Sequence, residues 1–148
     1  MDSVEVIPIT GLARALDLGD HELVSLVGGG GKTTALFALG RQLSGPVILT
    51  TTTKMGRDRT GGVPLLIGPD DDAARADALI RHRVILVWRS GDADKALGVD
   101  PAQCDRWFAE GSQVVVEADG SRRKPFKAPR PYEPVVPGQT TVLVACVG

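Results

Sequence analysis

"SLVGGGGKTT", residues 25–34, places four consecutive glycines between an apolar run and a lysine that is followed by two threonines. Glycines weaken helices and strands, so a folded chain keeps four of them where the backbone needs conformations or close approaches that a Cβ would prevent. Before them, residues 22–27 have the pattern of a short buried β-strand. After them, Leu36, Leu39 and Leu43 recur at helical spacing. The sequence therefore predicts a strand, a glycine loop and a helix, in that order.

This order predicts an anion-binding site. The N–H groups of the loop and of the first helical turn converge on one point, where the helix dipole adds partial positive charge and Lys32 adds a full one. A phosphate-binding P-loop also needs a hydroxyl that ligates magnesium. The alternative is a flexible glycine linker that precedes a lysine. We predict phosphate binding by Gly28, Gly29, Gly30, Gly31, Lys32, Thr33 and Thr34, with a catalytic role for Lys32 and Mg²⁺ ligation by Thr33.

The loop is shorter than the usual G-x-x-x-x-G-K-[ST] pattern, because Leu26 occupies the position of the first glycine. The remaining G-x-x-G-K-T-T resembles the nucleotide loop of the Mur-type ATP-dependent ligases. Because of this resemblance, the shorter loop still predicts phosphate binding.

Composition favours one globular domain over residues 1–148, of which 43% are hydrophobic. A net charge of −1 offers no global attraction to nucleic acid or to anionic membranes. The acidic N-terminus and the absence of an apolar run of about 20 residues predict a cytoplasmic protein. Cys104 and Cys146 are far apart, so we expect two buried thiols and neither a disulfide nor a zinc site.

Strand and helix patterns alternate along the chain. One helix is expected at 11–18, with Thr10 as cap, and a second directly after the glycine loop. Two more helices are expected, one from the acidic run 70–72 to His82 and one after the capping pair Asp100 and Pro101. Further strands are expected at 46–50, 63–67, 84–88, 112–117 and 140–148. Such alternation predicts a three-layer α/β fold of the P-loop NTPase type, with a mostly parallel sheet flanked by helices. Ligand sites are then expected at the carboxyl ends of the strands.

Two further stretches follow predicted strands and should lie at that same edge. In the first, residues 50–55, "TTTTKM", we predict nucleotide or magnesium contacts from Thr51, Thr52, Thr53 and Lys54. The alternative is that threonine is a good strand former, which does not explain Lys54 at the strand end.

The second stretch, "VVVEADG" at 114–120, is an apolar strand that ends in a carboxylate. In the Walker B pattern such an acid holds magnesium or polarises the nucleophile. Glu117 and Asp119 both qualify, and their spacing puts them on one face if the strand continues. Two close carboxylates repel unless a cation separates them, which predicts Mg²⁺ ligation and catalytic roles for both.

A basic, proline-interrupted segment follows. The prolines should keep it extended, so that Arg122, Arg123, Lys124 and Lys127 could clamp a triphosphate or receive an anionic second substrate. The alternative is a solvated surface loop.

The stretches "VGGGGKTT", "LTTTTKM" and "VVVEADGSRRKPFKAPRPYEPVVP", in this order, resemble the selenium-dependent molybdenum hydroxylase accessory proteins, the YqeC-like family. The resemblance covers residues 11–148. It implies a bacterial nucleotide-binding protein that acts in maturation of molybdenum hydroxylases, with the molybdenum cofactor and a hydroxylase as possible partners. Members of the family continue beyond the point where this chain stops, which implies a truncated or short member.

Three functions fit these patterns. They are hydrolysis of a nucleoside triphosphate, a Mur-like ligase or transferase reaction, and a non-catalytic nucleotide-dependent switch. The chain has no asparagine, so the N-K-x-D guanine signature is absent and ATP is favoured over GTP.

Overall fold

The computed structural model describes residues 3–91, 95–120 and 131–148. Its helices are a 3₁₀ turn at Ile9–Gly11 and then α1 (Leu12–Ala15), α2 (Lys32–Gln42), α3 (Asp72–His82) and α4 (Pro101–Ala109). Its strands are β1 (Leu23–Gly28), β2 (Val47–Thr51), β3 (Lys54–Gly56), β4 (Leu65–Ile67), β5 (Val84–Trp88), β6 (Ser90–Gly91), β7 (Lys95–Leu97), β8 (Gln113–Glu117) and β9 (Val142–Cys146). None of the helices in these described ranges combines the length and apolarity needed to cross a membrane.

Six of the strands form one sheet in the order β4-β5-β2-β8-β1-β9. Every pairing within this sheet is parallel. The strand β8, far along the chain, lies between β1 and β2, so the chain crosses the sheet to reach it. The predicted α/β class with a mostly parallel sheet is thus confirmed.

Helices cover both faces of this sheet, because the side chains of buried strands alternate between two apolar cores. On one face, Leu36 and Leu39 of α2 pack with α1 and with strand residues such as Leu49. On the other face, Trp107 of α4 and Leu79 of α3 pack with the alternate strand residues. The result is a helix–sheet–helix sandwich in which the strands have no polar face to expose.

The helix starts largely follow the sequence signals. The Asp100 side chain accepts a hydrogen bond from the Ala102 N–H at 2.9 Å, with Pro101 in the first turn. Asp71 caps α3 in the same way through the Ala74 N–H at 2.9 Å. The prediction for 11–18 was wrong in detail, because α1 is only one turn long and Thr10 lies inside the preceding 3₁₀ turn, where no side-chain cap forms.

A second, three-stranded sheet in the order β3-β7-β6 is antiparallel and was not predicted. Its strands are two or three residues long, too short for a periodic pattern to be recognised. It joins the main sheet through Gly98 and Val99, whose N–H groups donate to the carbonyls of Thr53 at 2.7 Å and Thr51 at 2.8 Å. The threonine stretch is therefore held between the two sheets.

Gly98 is the tightest point of that junction. A Cβ at this position would lie 2.4 Å from the Thr52 carbonyl carbon and 2.5 Å from the Thr51 carbonyl oxygen. Gly98→Ala should therefore force the backbones apart and lower the free energy of unfolding by roughly 1–3 kcal/mol. Gly138→Ala is the control, since its Cβ would meet nothing closer than 3.5 Å. Chemical denaturation of both variants measures the difference, and equal stabilities would contradict this packing.

Candidate functional site

Three adjacent strands end together at one edge of the main sheet. The register pairs Glu117 of β8 with Leu26 of β1 on one side and with Thr51 of β2 on the other. Because the strands are parallel, their carboxyl ends share this edge. The structure therefore brings the predicted glycine loop, the threonine stretch and the predicted carboxylates into one place.

The glycine loop, Gly28–Gly31, is shaped by its contact with β9. Gly28 has a φ of +97°, and a Cβ there would lie 2.5 Å from the carbonyl oxygen of Cys146. The same carbonyl accepts the Gly29 N–H at 2.8 Å. Gly31 has a φ of +93° and precedes the first residue of α2. Glycine is thus required at Gly28 and Gly31, because a side chain would strain the backbone at these positive φ angles. At Gly28 there is also no space for a Cβ. Cys146 is only half-buried, in contrast to the buried thiol expected from sequence, whereas Cys104 is buried as expected.

Lys32 is the first residue of α2 and is 3% exposed. Its Nζ donates to the carbonyl oxygens of Gly28 at 2.6 Å and Gly29 at 2.7 Å. A buried ammonium group requires such partners. The side chain consequently folds back along the glycine loop, and its charge is concentrated where the loop meets the helix N-terminus.

Thr33 and Glu117 are joined directly. The Thr33 hydroxyl donates to Glu117 Oε1 at 3.0 Å. The residue Glu117 as a whole is partly exposed, yet its Oε2 is buried and has no hydrogen-bond partner among the residues that the structure describes. Burial raises the pKa of Glu117, although Thr33, Lys32 and Arg59 each act to lower it. A buried carboxylate oxygen with no partner is a suitable ligand for a cation.

Asp119 lies beyond the end of β8 and is 4% exposed. Its carboxylate accepts the Gly28 N–H at 3.3 Å. The strand does not continue to Asp119, so the argument that placed both carboxylates on one strand face does not hold. Glu117 reaches the helix side of the loop, and Asp119 reaches the start of the loop. Within the described ranges no group of three or more His, Cys, Asp or Glu side chains is placed to hold a metal.

The threonine stretch uses most of its hydroxyls within the protein. The Thr51 hydroxyl donates to the Glu117 carbonyl at 2.9 Å, and the Thr52 hydroxyl donates to the Val135 carbonyl at 2.7 Å. Thr53 Oγ1 lies 3.3 Å from Thr51 Oγ1. Thr52, Thr53 and Lys54 line the cleft described next, whereas Thr51 is fully buried and does not. For Thr51 the structure thus favours a role in fixing the end of β8.

A cleft of about 960 Å³ opens at this edge of the sheet. It is lined by the glycine loop from Gly29 onward, Lys32, Thr33, Thr34, Glu117 and Asp119, so most of the predicted site residues face one cavity. The cleft is also lined by Arg59, Arg89 and Lys95, which no sequence pattern indicated. They lie in or beside the small sheet, whose existence no pattern indicated. Arg122, Arg123, Lys124 and Lys127 lie outside the described residues.

Fold and site together define an α/β protein with a parallel six-stranded sheet and a polar cleft at its carboxyl edge. The family model described as "YqeC protein" matches residues 24–148, and the chain belongs to the YqeC family. It is 33% identical over 145 residues to the "Uncharacterized protein YqeC" of Escherichia coli (strain K12). That match covers 92% of this chain and 56% of the relative, so the chain spans little more than half the length of that relative. No solved structure matches the chain.

The raised pKa of Glu117 predicts a pH dependence of stability. The folded state keeps this proton to a higher pH than the unfolded state, so between the two pKa values the free energy of unfolding falls as the pH rises. Glu117→Gln removes this titration. The variant should therefore lose less stability than the parent as the pH rises above the ordinary pKa of a glutamate.

The measurement is urea unfolding at several pH values in buffer with a metal chelator. Glu5→Gln, at an exposed position, is the control and should follow the parent. Parallel curves for the parent and Glu117→Gln would show that the buried carboxyl does not titrate as described.

Proposed function

We propose that this chain binds a Mg²⁺-associated nucleoside triphosphate, with ATP favoured, in the cleft and hydrolyses it. One observation carries the proposal. Thr33 and Glu117 meet beside the glycine loop, and the buried Glu117 Oε2 has no hydrogen-bond partner within the described part of the chain. A hydroxyl and a carboxylate at the end of a phosphate-binding loop are the groups by which P-loop proteins hold magnesium.

The phosphates are expected at the glycine loop. The Gly28 and Gly29 N–H groups are already bonded to Asp119 and to the Cys146 carbonyl, so the N-terminus of α2 is the part that offers partial positive charge. Lys32 supplies a full positive charge beside it. Lys32 is held by two loop carbonyls, Gly28 O and Gly29 O. An entering polyphosphate offers the ammonium charged acceptors in place of these neutral ones, and hydrogen bonds between charged groups are the stronger kind.

Mg²⁺ would be held by Thr33 and Glu117, together with phosphate oxygens and water, because magnesium is commonly bound through one or two carboxylates. When bound, it would neutralise the charge that develops on the transferred phosphoryl group. We assign to Lys32 the stabilisation of the same charge, and to Glu117 or Asp119 the orientation of the attacking water. Asp119 already accepts the Gly28 N–H, which supports a second role in fixing the start of the loop.

The biological role that we propose is maturation of selenium-dependent molybdenum hydroxylases in the cytoplasm. It is supported by the resemblance of the three sequence stretches and by membership of the YqeC family. In this role a molybdenum hydroxylase or its cofactor is the partner. Nucleotide hydrolysis would drive loading or release of that cofactor. Hydrolysis can be tested separately from nucleotide binding.

Lys32→Ala should weaken binding of a non-hydrolysable ATP analogue by at least about 100-fold, because it removes charged hydrogen bonds to the phosphates. Isothermal titration calorimetry with Mg²⁺ present measures the affinity, and circular dichroism verifies the fold. Arg81→Ala is the matched control, since Arg81 is an exposed cation paired with Asp77 on α3. An unchanged affinity in Lys32→Ala would remove the glycine loop as the phosphate site.

Glu117→Gln should keep nucleotide affinity within about tenfold and lower the rate of phosphate release by roughly 10²–10⁴-fold, the usual range for loss of a catalytic acid or base. A single-turnover assay of γ-phosphate release at saturating nucleotide measures this. Asp119→Asn, assayed alongside, separates the two carboxylates, and the one that orients water gives the larger loss. Rates equal to the parent in both variants would exclude carboxylate-assisted hydrolysis.

A further inference from the structure

Tyr132 lines the cleft with a side chain that is not packed against the protein. The residue is 87% exposed, and it is the one aromatic residue in the described lining of the cleft. Within the described ranges its ring stacks on no other aromatic ring, and no cation lies over it. A tyrosine ring is a broad and rigid contact surface, because only two torsions position it. Both faces of this ring are therefore open to a ligand of the cleft.

The backbone near Tyr132 is tied to the carboxyl edge of the main sheet through Val135. The Val135 N–H donates to the Ala118 carbonyl at 2.7 Å, and the Val135 carbonyl accepts the Thr52 hydroxyl at 2.7 Å. Ala118 directly follows β8, and Thr52 directly follows β2, so Val135 bridges the ends of two adjacent strands. Three residues of chain span at most about 10 Å. The backbone of Tyr132 therefore stays within that distance of the bridge.

The same edge carries the glycine loop. The Ala118 N–H donates to the Leu26 carbonyl of β1 at 2.9 Å, so Ala118 is bonded both to the strand that leads into the loop and to Val135. The glycine loop from Gly29 onward and Tyr132 line one cavity. A ligand whose phosphates lie at the loop can therefore extend through the cleft toward the tyrosine ring.

The charged side chains of the cleft balance one another. Its described lining contains as many carboxylates as lysines and arginines, and the carboxylates are Asp58, Asp100, Glu117, Asp119 and Glu133. Outside the glycine loop the cleft therefore has no excess charge that would attract a second anion. The part of a ligand that lies beyond the phosphates is expected to be neutral.

The size and the apolar lining of the cleft fit such a neutral group. Its volume of about 960 Å³ is at the upper end of the range for small-molecule sites, which leaves room for more than a chain of phosphates. Besides Tyr132, the apolar side chains of Leu97, Val99 and Val135 line it. A nucleobase is a neutral ring system with two apolar faces and polar edges, so it can stack on tyrosine while its edges remain hydrated.

We propose that Tyr132 binds the base of the nucleotide by stacking its ring on it. The inference rests on the proposed function, which assigns the phosphates to the glycine loop, and it adds the residue that holds the other end of the molecule. Every base has a π-face, so stacking contributes affinity without reading the edge of the base. Tyr132 therefore strengthens nucleotide binding but does not itself distinguish ATP from GTP.

The test compares two probes by calorimetry with Mg²⁺ present, a non-hydrolysable ATP analogue and inorganic tripolyphosphate, which has no base. Tyr132→Ala should weaken binding of the analogue by at least about fivefold, the lower end of the range for base–aromatic stacking. It should change the affinity for tripolyphosphate by less than about twofold. Tyr132→Phe keeps the ring and should bind the analogue within about twofold of the parent. Ile80→Ala is the matched control, since Ile80 is 85% exposed on α3 and lies outside the cleft lining.

Nuclear magnetic resonance gives a second measurement. Tyr132 is the only tyrosine of the chain, so a tyrosine-labelled sample shows the ring signals of this residue alone. The ring current of a stacked base shifts those signals. The analogue should therefore shift them, and tripolyphosphate should shift them much less.

Three results would overturn the stacking proposal. The first is an unchanged affinity of Tyr132→Ala for the analogue. The second is an equal loss for both probes, which would assign Tyr132 to the phosphates or to the fold. The third is a loss in Tyr132→Phe as large as in Tyr132→Ala, which would assign the contact to the hydroxyl.

Failure of the nucleotide proposal gives a different pattern. In that case the parent does not bind the analogue, or Lys32→Ala binds it as tightly as the parent does. If only the stacking proposal fails, Lys32→Ala still weakens binding of both probes while Tyr132→Ala behaves like the parent.

Discussion

The parallel pairing of β1 with β8 is the constraint on which the rest of the site depends. It sets Leu26 opposite Glu117, so the glycine loop begins two residues beyond the point where β8 presents its carboxylate. Thr33, at the start of α2, then reaches that carboxylate with a hydrogen bond of 3.0 Å. A shift of one residue in a strand would reverse the face of every side chain on it, so this meeting requires the apolar alternation of both strands to be correct.

Two sources of rigidity support that arrangement. The first is the packed sandwich, in which β1, β2 and β8 are buried on both faces and cannot slide without breaking an apolar core. The second is a set of polar ties at the strand ends. Thr51 donates to the Glu117 carbonyl, and the Cys146 carbonyl holds the Gly29 N–H. The edge that carries the proposed chemistry is thus fixed from the β2 side and from the β9 side.

The cations that line the cleft differ in how they are held. Lys32 is buried and bonded to backbone carbonyls, which suits a cation that must be in place before a ligand arrives. Arg89 and Lys54 are exposed at the cleft surface, where they can adapt to ligands of different shape. Preorganised charge at the glycine loop reduces the reordering that binding of a polyphosphate would require.

The sequence by itself determined the strands of the main sheet, the helices α2 to α4 and the residue types of the glycine loop. Local sequence signals were sufficient for these elements. Buried strands, capping residues such as Asp100 and the run of glycines can be recognised without information about distant segments. Only the tertiary structure decided that β8 inserts between β1 and β2, that Asp119 turns to Gly28, and that Arg59, Arg89 and Lys95 share the cleft. These outcomes depend on contacts between distant segments and on strands too short to leave a periodic pattern. The energies that select them are packing and backbone hydrogen bonding across the whole fold, which no local stretch encodes.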